Sequence, residues 1–269
     1  MMSAAEKENR LRSLLKEKEK LAVAFSSGVD STYLLKLARE ELGGDVLALT
    51  ARSAAFPKQE WEEAEAFCRE EGIRLIPLDF DILSVSAFRE NGKDRCYFCK
   101  KALFGAFLET AAREGIGTLA EGSNTDDEGD YRPGMRAVSE LGIWSPLREA
   151  RMSKAEIRER SRTLGLSTRD KPSYACLASR FAYGETVTEE KLSRVEEAEA
   201  FLRGLGLRRL RVRVHGDLAR IEAEPEKIAD LAKPGTAALI TDKFRALGFL
   251  YVTLDLAGYE SGSMNRGLN

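Results

Sequence analysis

The chain has 269 residues, long enough for one or two domains and for a core that needs no staples. Basic and acidic residues stand at 42 against 44, a net charge of −2, which argues against a protein that lives by non-specific electrostatics on nucleic acid or on an anionic membrane. With one histidine, His215, and four cysteines, multi-histidine metal sites, Ser-His-Asp hydrolases and disulfide frameworks carry little weight.

In chain order, residues 4–20 read as an amphipathic helix. The N-terminus alternates charge and leucine without a continuous apolar stretch, so no signal peptide or membrane span is expected, and the expected compartment is the cytoplasm. Residues 21–25 (Leu-Ala-Val-Ala-Phe) form an apolar run, as in a buried parallel strand. A polar turn leads to a helix with Leu34, Leu35, Ala38 and Leu42 on one face, closed by Gly43 and Gly44. Residues 46–50 read as a strand, 58–71 as a helix, and 75–78 as a strand near a sheet edge because of Pro77. Residues 98–114 read as a helix and 118–120 as a short strand. Ser153 to Glu156 is a capping box that opens a helix to about residue 164. This alternation predicts an α/β fold with a doubly wound parallel sheet over residues 1–185. Beyond it, a helix over 189–203, a strand over 209–214 paired with 219–222 through Gly216 and Asp217, a helical stretch and a strand over 249–254 predict a smaller α+β domain over 186–269.

The strongest chemical signal is Ser26-Ser27-Gly28-Val29-Asp30-Ser31, set between the apolar strand and the helix. Amides at a helix N-terminus, serine hydroxyls and a glycine that permits close approach make an anion cradle. No Gly-Lys-Ser/Thr follows, so it is not a Walker A loop. The plain alternative is a Ser-rich turn with an Asp cap. Ligands of a doubly wound sheet sit at the carboxyl ends of its strands. Ser53, after Arg52, falls there as a place for adenine, as do Gly122 and the acidic stretch Asp126, Asp127 and Asp130, whose carboxylates suit Mg²⁺ or simply a solvated loop.

Cys96-Tyr97-Phe98-Cys99 places two thiols within reach of one metal or cluster, in a charged loop after Gly92. With Cys176 they form a candidate three-cysteine site for a 4Fe-4S cluster that leaves one iron open; three unrelated thiols is the alternative. Cys68 reads as core. Arg209, Arg211 and Arg213 alternate with Leu210, Val212 and Val214, so the guanidiniums share one strand face. That face is a phosphate or carboxylate site, a small RNA-binding patch, or a solvated sheet surface.

The loop resembles the pyrophosphate-binding loop (PP-loop, Ser-Gly-Gly-x-Asp-Ser) of ATP pyrophosphatases, with Ser27 in place of the first glycine. The wider set resembles the LarE family of ATP-dependent sulfur transferases over nearly the whole chain. That set is residues 24–31, Asp130-Tyr131-Arg132-Pro133-Gly134, Cys176 before Ser179-Arg180-Phe181, residues 211–215, and Ser261-Gly262-Ser263-Met264-Asn265. The resemblance implies a substrate that is a pyridinium dicarboxylate mononucleotide, adenylated by ATP with Mg²⁺ and converted to thiocarboxylates. The product then takes up nickel as the pincer cofactor of lactate racemase. It implies an ATP site of Ser26, Ser27, Gly28, Asp30, Ser31, Ser53, Lys100, Gly122 and Asp126. It implies substrate contacts at Arg132, Arg180, Glu199, Arg211, Arg213 and Asp230, a separate sulfur donor, and a homo-hexamer. Family members either sacrifice a lone cysteine or hold a 4Fe-4S cluster on three; Cys96, Cys99 and Cys176 look like the second type, with sacrifice of Cys176 as the alternative. A tRNA thiolase of the same superfamily and a non-catalytic nucleotide-binding or metal-storage module are the competing readings. The net charge and the small basic stretch count against RNA.

Overall fold

The computed structural model describes residues 2–127, 133–172, 175–260 and 263. Its elements begin with α1 (Ala4–Lys16), β1 (Leu21–Ala24), α2 (Val29–Leu42), β2 (Val46–Arg52), α3 (Lys58–Glu70), β3 (Arg74–Asp79), α4 (Ser86–Arg89), α5 (Arg95–Arg113) and β4 (Leu119–Ala120). They continue with α6 (Pro133–Glu140), α7 (Pro146–Glu149), α8 (Lys154–Thr163), α9 (Glu189–Gly204), β5 (Arg211–His215), β6 (Leu218–Glu222), α10 (Ile228–Leu231), α11 (Pro234–Ala246) and β7 (Tyr251–Leu254). The chain divides into two units, one of Met1–Val85 with Asp94–Tyr174, the other of Ser86–Lys93 with Ala175–Asn269. The division drawn from the sequence at 185/186 thus differs from this one, in which Ser86–Lys93 joins the later part of the chain.

The first unit is built on a parallel sheet in the order β3-β2-β1-β4. Alternate residues of its central strands feed two separate cores. Leu21 and Val23 of β1 and Val46 and Ala48 of β2 pack with α1, α2, α3 and α8. Ala22 of β1 and Leu47 and Leu49 of β2 pack with Phe104, Phe107 and Ala111 of α5 and Val138 of α6. A strand buried on both faces has no polar side to show, which is why β1 and the start of β2 read as unbroken apolar runs. Pro77 sits on β3, the edge strand, where its missing N–H costs no ladder bond. The helix expected to end at residue 20 stops at Lys16, and the one expected to start at residue 98 starts at Arg95. Both capping-box bonds form at Ser153 and Glu156.

In the second unit β5 pairs antiparallel with β6, with Arg211 opposite Glu222, and β7 adds in parallel to β6. Phe181 bridges Val214, so residues 179–181 run along the outer edge of β5. Among the described residues no helix is long and apolar enough to cross a membrane.

Candidate functional site

The chain order turns around between β1 and β4, and in such sheets ligands sit outside the strand ends at that point. The loop Ser26–Ser31 lies there. Gly28 caps α2 without a side-chain hydrogen bond, so the first-turn amides of α2 face the loop with no side-chain acceptor. Ser26 Oγ and Ser31 Oγ lie 3.1 Å apart, and Ser31 Oγ donates to Gly28 O at 3.3 Å. Amides, hydroxyls and the positive end of the helix dipole converge on one small volume, which favours an anion.

Asp30 stands in the first turn of α2. One carboxylate oxygen pairs with Lys154 Nζ; the other, Oδ1, is buried with no hydrogen-bond partner. Burial pushes the Asp30 carboxyl above its ordinary range, Lys154 pulls it back, and the charge of Asp127 pushes it up. A buried carboxylate oxygen left open beside a second carboxylate is a donor set that suits Mg²⁺, which takes one or two carboxylates and fills its remaining positions with water and phosphate. Asp126 is exposed and accepts the Lys154 amide through Oδ2 at 3.1 Å, tying the loop after β4 to the start of α8.

Gly122 packs closely on the first turn of α2. A Cβ there would lie 3.0 Å from the Ser31 amide nitrogen and 3.3 Å from its Cα, against the first turn of α2. Ser53, past the end of β2, has a buried hydroxyl without a partner, as expected of a site built to bond something else. Lys100, in the second turn of α5, reaches over the Phe104 ring at 5.8 Å. Gly134 makes room for its stem: a Cβ on Gly134 would come within 2.7 Å of Lys100 Cδ.

Cys96 lies in the first turn of α5 and Cys99 at the start of the second, where the sequence reading placed Cys96 in a loop; Cys96 is exposed and Cys99 buried. They belong to the first unit, while Cys176, partly exposed, belongs to the second. Among the described residues no group of three or more His, Cys, Asp or Glu that could hold a metal ion is found. Burial pushes the Cys68 thiol up to about 12, in keeping with a core residue.

The second unit holds the arginines in an unexpected way. Arg211 and Arg213 do share a face of β5, but at 7% and 4% exposure they are buried, so the solvated-surface reading is wrong. Arg209 alone of the three precedes the strand and is exposed. Arg180, fully buried, forms a two-bond fork with buried Glu199, Nε to Oε1 at 2.8 Å and Nη2 to Oε2 at 2.9 Å. Glu199 also accepts the Val212 amide at 3.1 Å. Arg213 Nη2 donates to Glu222 and to Ser263 Oγ, both at 3.0 Å, while its Nε is buried without a partner. Arg211 donates to Leu210 O and lies 5.1 Å from the Tyr259 ring; burial and the charge of Arg180 lower its pKa. Three buried guanidiniums thus face two buried carboxylates, Glu199 and Glu222, a local excess of positive charge that suits a phosphate or carboxylate. Asp230 is exposed on α10 and paired with Lys233. His215, at the end of β5, accepts from Arg220 Nε at 3.2 Å. Arg132, Asp130, Tyr131, Ser261, Gly262, Met264 and Asn265 lie outside the described residues.

Two residues at the loop escaped the sequence reading. Lys154 was visible only as part of a capping box, and Lys171, which donates to Ser27 O at 2.8 Å and to Ser27 Oγ at 3.1 Å, carried no signal.

No protein-family model matches the chain. It is 42% identical over 258 residues to an uncharacterized protein of Synechocystis, spanning 96% of each. It is 38% identical over 266 residues to the pyridinium-3,5-bisthiocarboxylic acid mononucleotide synthase of Lactiplantibacillus plantarum, spanning 98% of this chain and 96% of that protein. Over 164 residues it is 28% identical to argininosuccinate synthase of Natronomonas pharaonis, spanning 56% of this chain and 40% of that one.

Proposed function

The chain belongs to the LarE family, that of the pyridinium-3,5-bisthiocarboxylic acid mononucleotide synthase it resembles along its length, and from that premise we propose that it is an ATP-dependent sulfur transferase. Its substrate is a pyridinium dicarboxylate mononucleotide, whose carboxylates it adenylates and converts to thiocarboxylates. The observation that carries the reading is the open N-terminus of α2 at the end of β1, with the unpartnered Oδ1 of Asp30 in its first turn. The partial likeness to argininosuccinate synthase, over 56% of this chain, supports the use of ATP.

A carboxylate is a poor electrophile. Attack of its oxygen on the α-phosphorus of ATP breaks the bond to the β-phosphate and gives an acyl-adenylate with a good leaving group. The charge that appears on the departing pyrophosphate is met by the α2 amides and by the hydroxyls of Ser26 and Ser31. Asp30 and Asp127 would hold Mg²⁺, which supplies countercharge to the phosphates when bound. A sulfur nucleophile then adds to the acyl carbon and AMP leaves. An anionic sulfur needs no histidine base, in keeping with a single histidine placed on the second unit's strand end. Arg211 and Arg213, with Arg180 and Glu199 behind them, take the mononucleotide phosphate.

Sulfur delivery is assigned to the cysteines, either Cys176 giving up its own sulfur or the cluster form that would use Cys96, Cys99 and Cys176. Mass spectrometry after one turnover separates them: loss of one sulfur from Cys176 marks sacrifice, and an intact Cys176 rules it out. Assembly as a homo-hexamer belongs to the same proposal and is read by sedimentation. The function itself is tested by incubation with ATP, Mg²⁺ and the dicarboxylate mononucleotide. Pyrophosphate and AMP should appear only with the mononucleotide present, and their absence refutes the proposal.

A further inference from the structure

Ser27 stands where the PP-loop pattern has glycine, and its φ is +50°. An L side chain in that region crowds its own backbone, at a cost of about tenfold in an equilibrium constant. Ser27 is 1% exposed, so its polar groups are satisfied by protein partners. The hydroxyl of Ser27 donates to Glu60 O on α3 at 2.8 Å. Lys171 Nζ donates to Ser27 O and Ser27 Oγ and pairs with Glu63, one turn further along α3. The Lys171 side chain is only 10% exposed. Loop, Lys171 and α3 are therefore tied together at one residue, the one whose backbone is strained.

We propose that Lys171 is a positioning residue for the ATP loop: with Glu63 it holds Ser27 in the left-handed conformation and thereby aims the amides of Gly28 and the first turn of α2. This lets a serine occupy a position that otherwise calls for glycine. The inference rests on the reading of this loop as the ATP site.

The test is a cycle of Ser27→Gly, Lys171→Met and the double variant, with Lys171→Arg alongside. Pyrophosphate release is followed against ATP concentration, and urea unfolding is followed without ATP. Glycine adopts φ +50° unaided, so it should relieve the need for the clamp. Lys171→Met should raise the KM for ATP about tenfold with kcat changed less than about threefold, and in the Ser27→Gly background it should raise KM less than about threefold. Lys171→Arg, which keeps a charged donor, should recover most of the KM. An equal rise of KM in both backgrounds overturns the proposal. If Lys171→Met does not fold, Lys171→Gln takes its place in the cycle. If the unaltered protein releases no pyrophosphate, the ATP reading falls, and the urea cycle still decides the clamp. A smaller loss from Lys171→Met when Ser27 is glycine sustains it, and equal losses overturn it.

Discussion

Glu199→Gln removes one negative charge from a site sealed from water. The carboxylate and its partner Arg180 are 1% and 0% exposed. It accepts both bonds of the guanidinium fork and the Val212 amide. Glutamine keeps one acceptor oxygen, but its amide nitrogen then meets a guanidinium that can only donate. One fork bond is lost and the buried Arg180 loses its countercharge. Breaking a buried pair in this way costs about 3–5 kcal/mol, out of a total stability of about 5–15 kcal/mol. The pH dependence has a definite sign. Burial pushes the Glu199 carboxyl up, but the charge and hydrogen bonds of Arg180, the charge of Arg211 and the Val212 amide outweigh it and hold the carboxyl below its ordinary range. Its stabilisation is therefore present above the unfolded carboxylate pKa, about 4.3, and is lost as pH falls through the lower folded value. Urea unfolding of both proteins at pH 7 and down a series to acid should show the full gap at pH 7 and a narrowing gap below that pKa. A loss under about 1 kcal/mol at pH 7, the worth of an exposed pair, would refute the argument from burial. Replacing Arg180 and Glu199 together by Met should recover most of the loss.

Asp30 has the opposite sign: burial raises its carboxyl, so the ionised form costs stability, a cost that sets in as pH rises past the unfolded carboxylate pKa and is complete above the raised folded one. Asp30→Asn should lower pyrophosphate release by about 100-fold or more without lowering the urea midpoint at pH 7; a lowered midpoint would mean that the pair with Lys154 outweighs burial. Arg211→Met removes a charge that burial and Arg180 both disfavour. It should leave the melting temperature unchanged or higher while weakening mononucleotide binding about 10- to 100-fold by calorimetry; unchanged affinity would move the phosphate elsewhere. Iodoacetamide at pH 8 should alkylate exposed Cys96 and spare Cys68, whose thiol stays protonated well above that pH, as read by peptide mass spectrometry. Equal labelling would contradict the burial of Cys68.

The nucleotide-loop half of the site was legible because its determinants are local. An apolar run, a serine-glycine turn and an amphipathic helix follow one another within residues 21–42, and each acts on its own backbone or its nearest turns. The edge place of β3 followed from one missing N–H at Pro77. α5 starts three residues earlier than the sequence suggested: Asp94 is a preferred N-cap residue, but it lies within a charged stretch without an apolar period, so Cys96 looked like part of a loop.

The arginines mark the limit of that reading. Alternation put Arg211 and Arg213 on one face of a strand but did not say what covers that face; Arg180, Glu199 and Glu222, brought in from other segments, turn it into a buried ionic cluster. The same holds at the loop. The sequence by itself determined the strand, the anion-binding turn and the helix behind it, since backbone propensity and hydrophobic period work over a few residues. Only the tertiary structure decided that Lys154, 124 residues away, pairs with Asp30, and that Lys171, 144 residues away, holds Ser27. An ion pair across such a span leaves no period or motif in the chain, because its partners meet only after the intervening chain has folded and closed the loop between them.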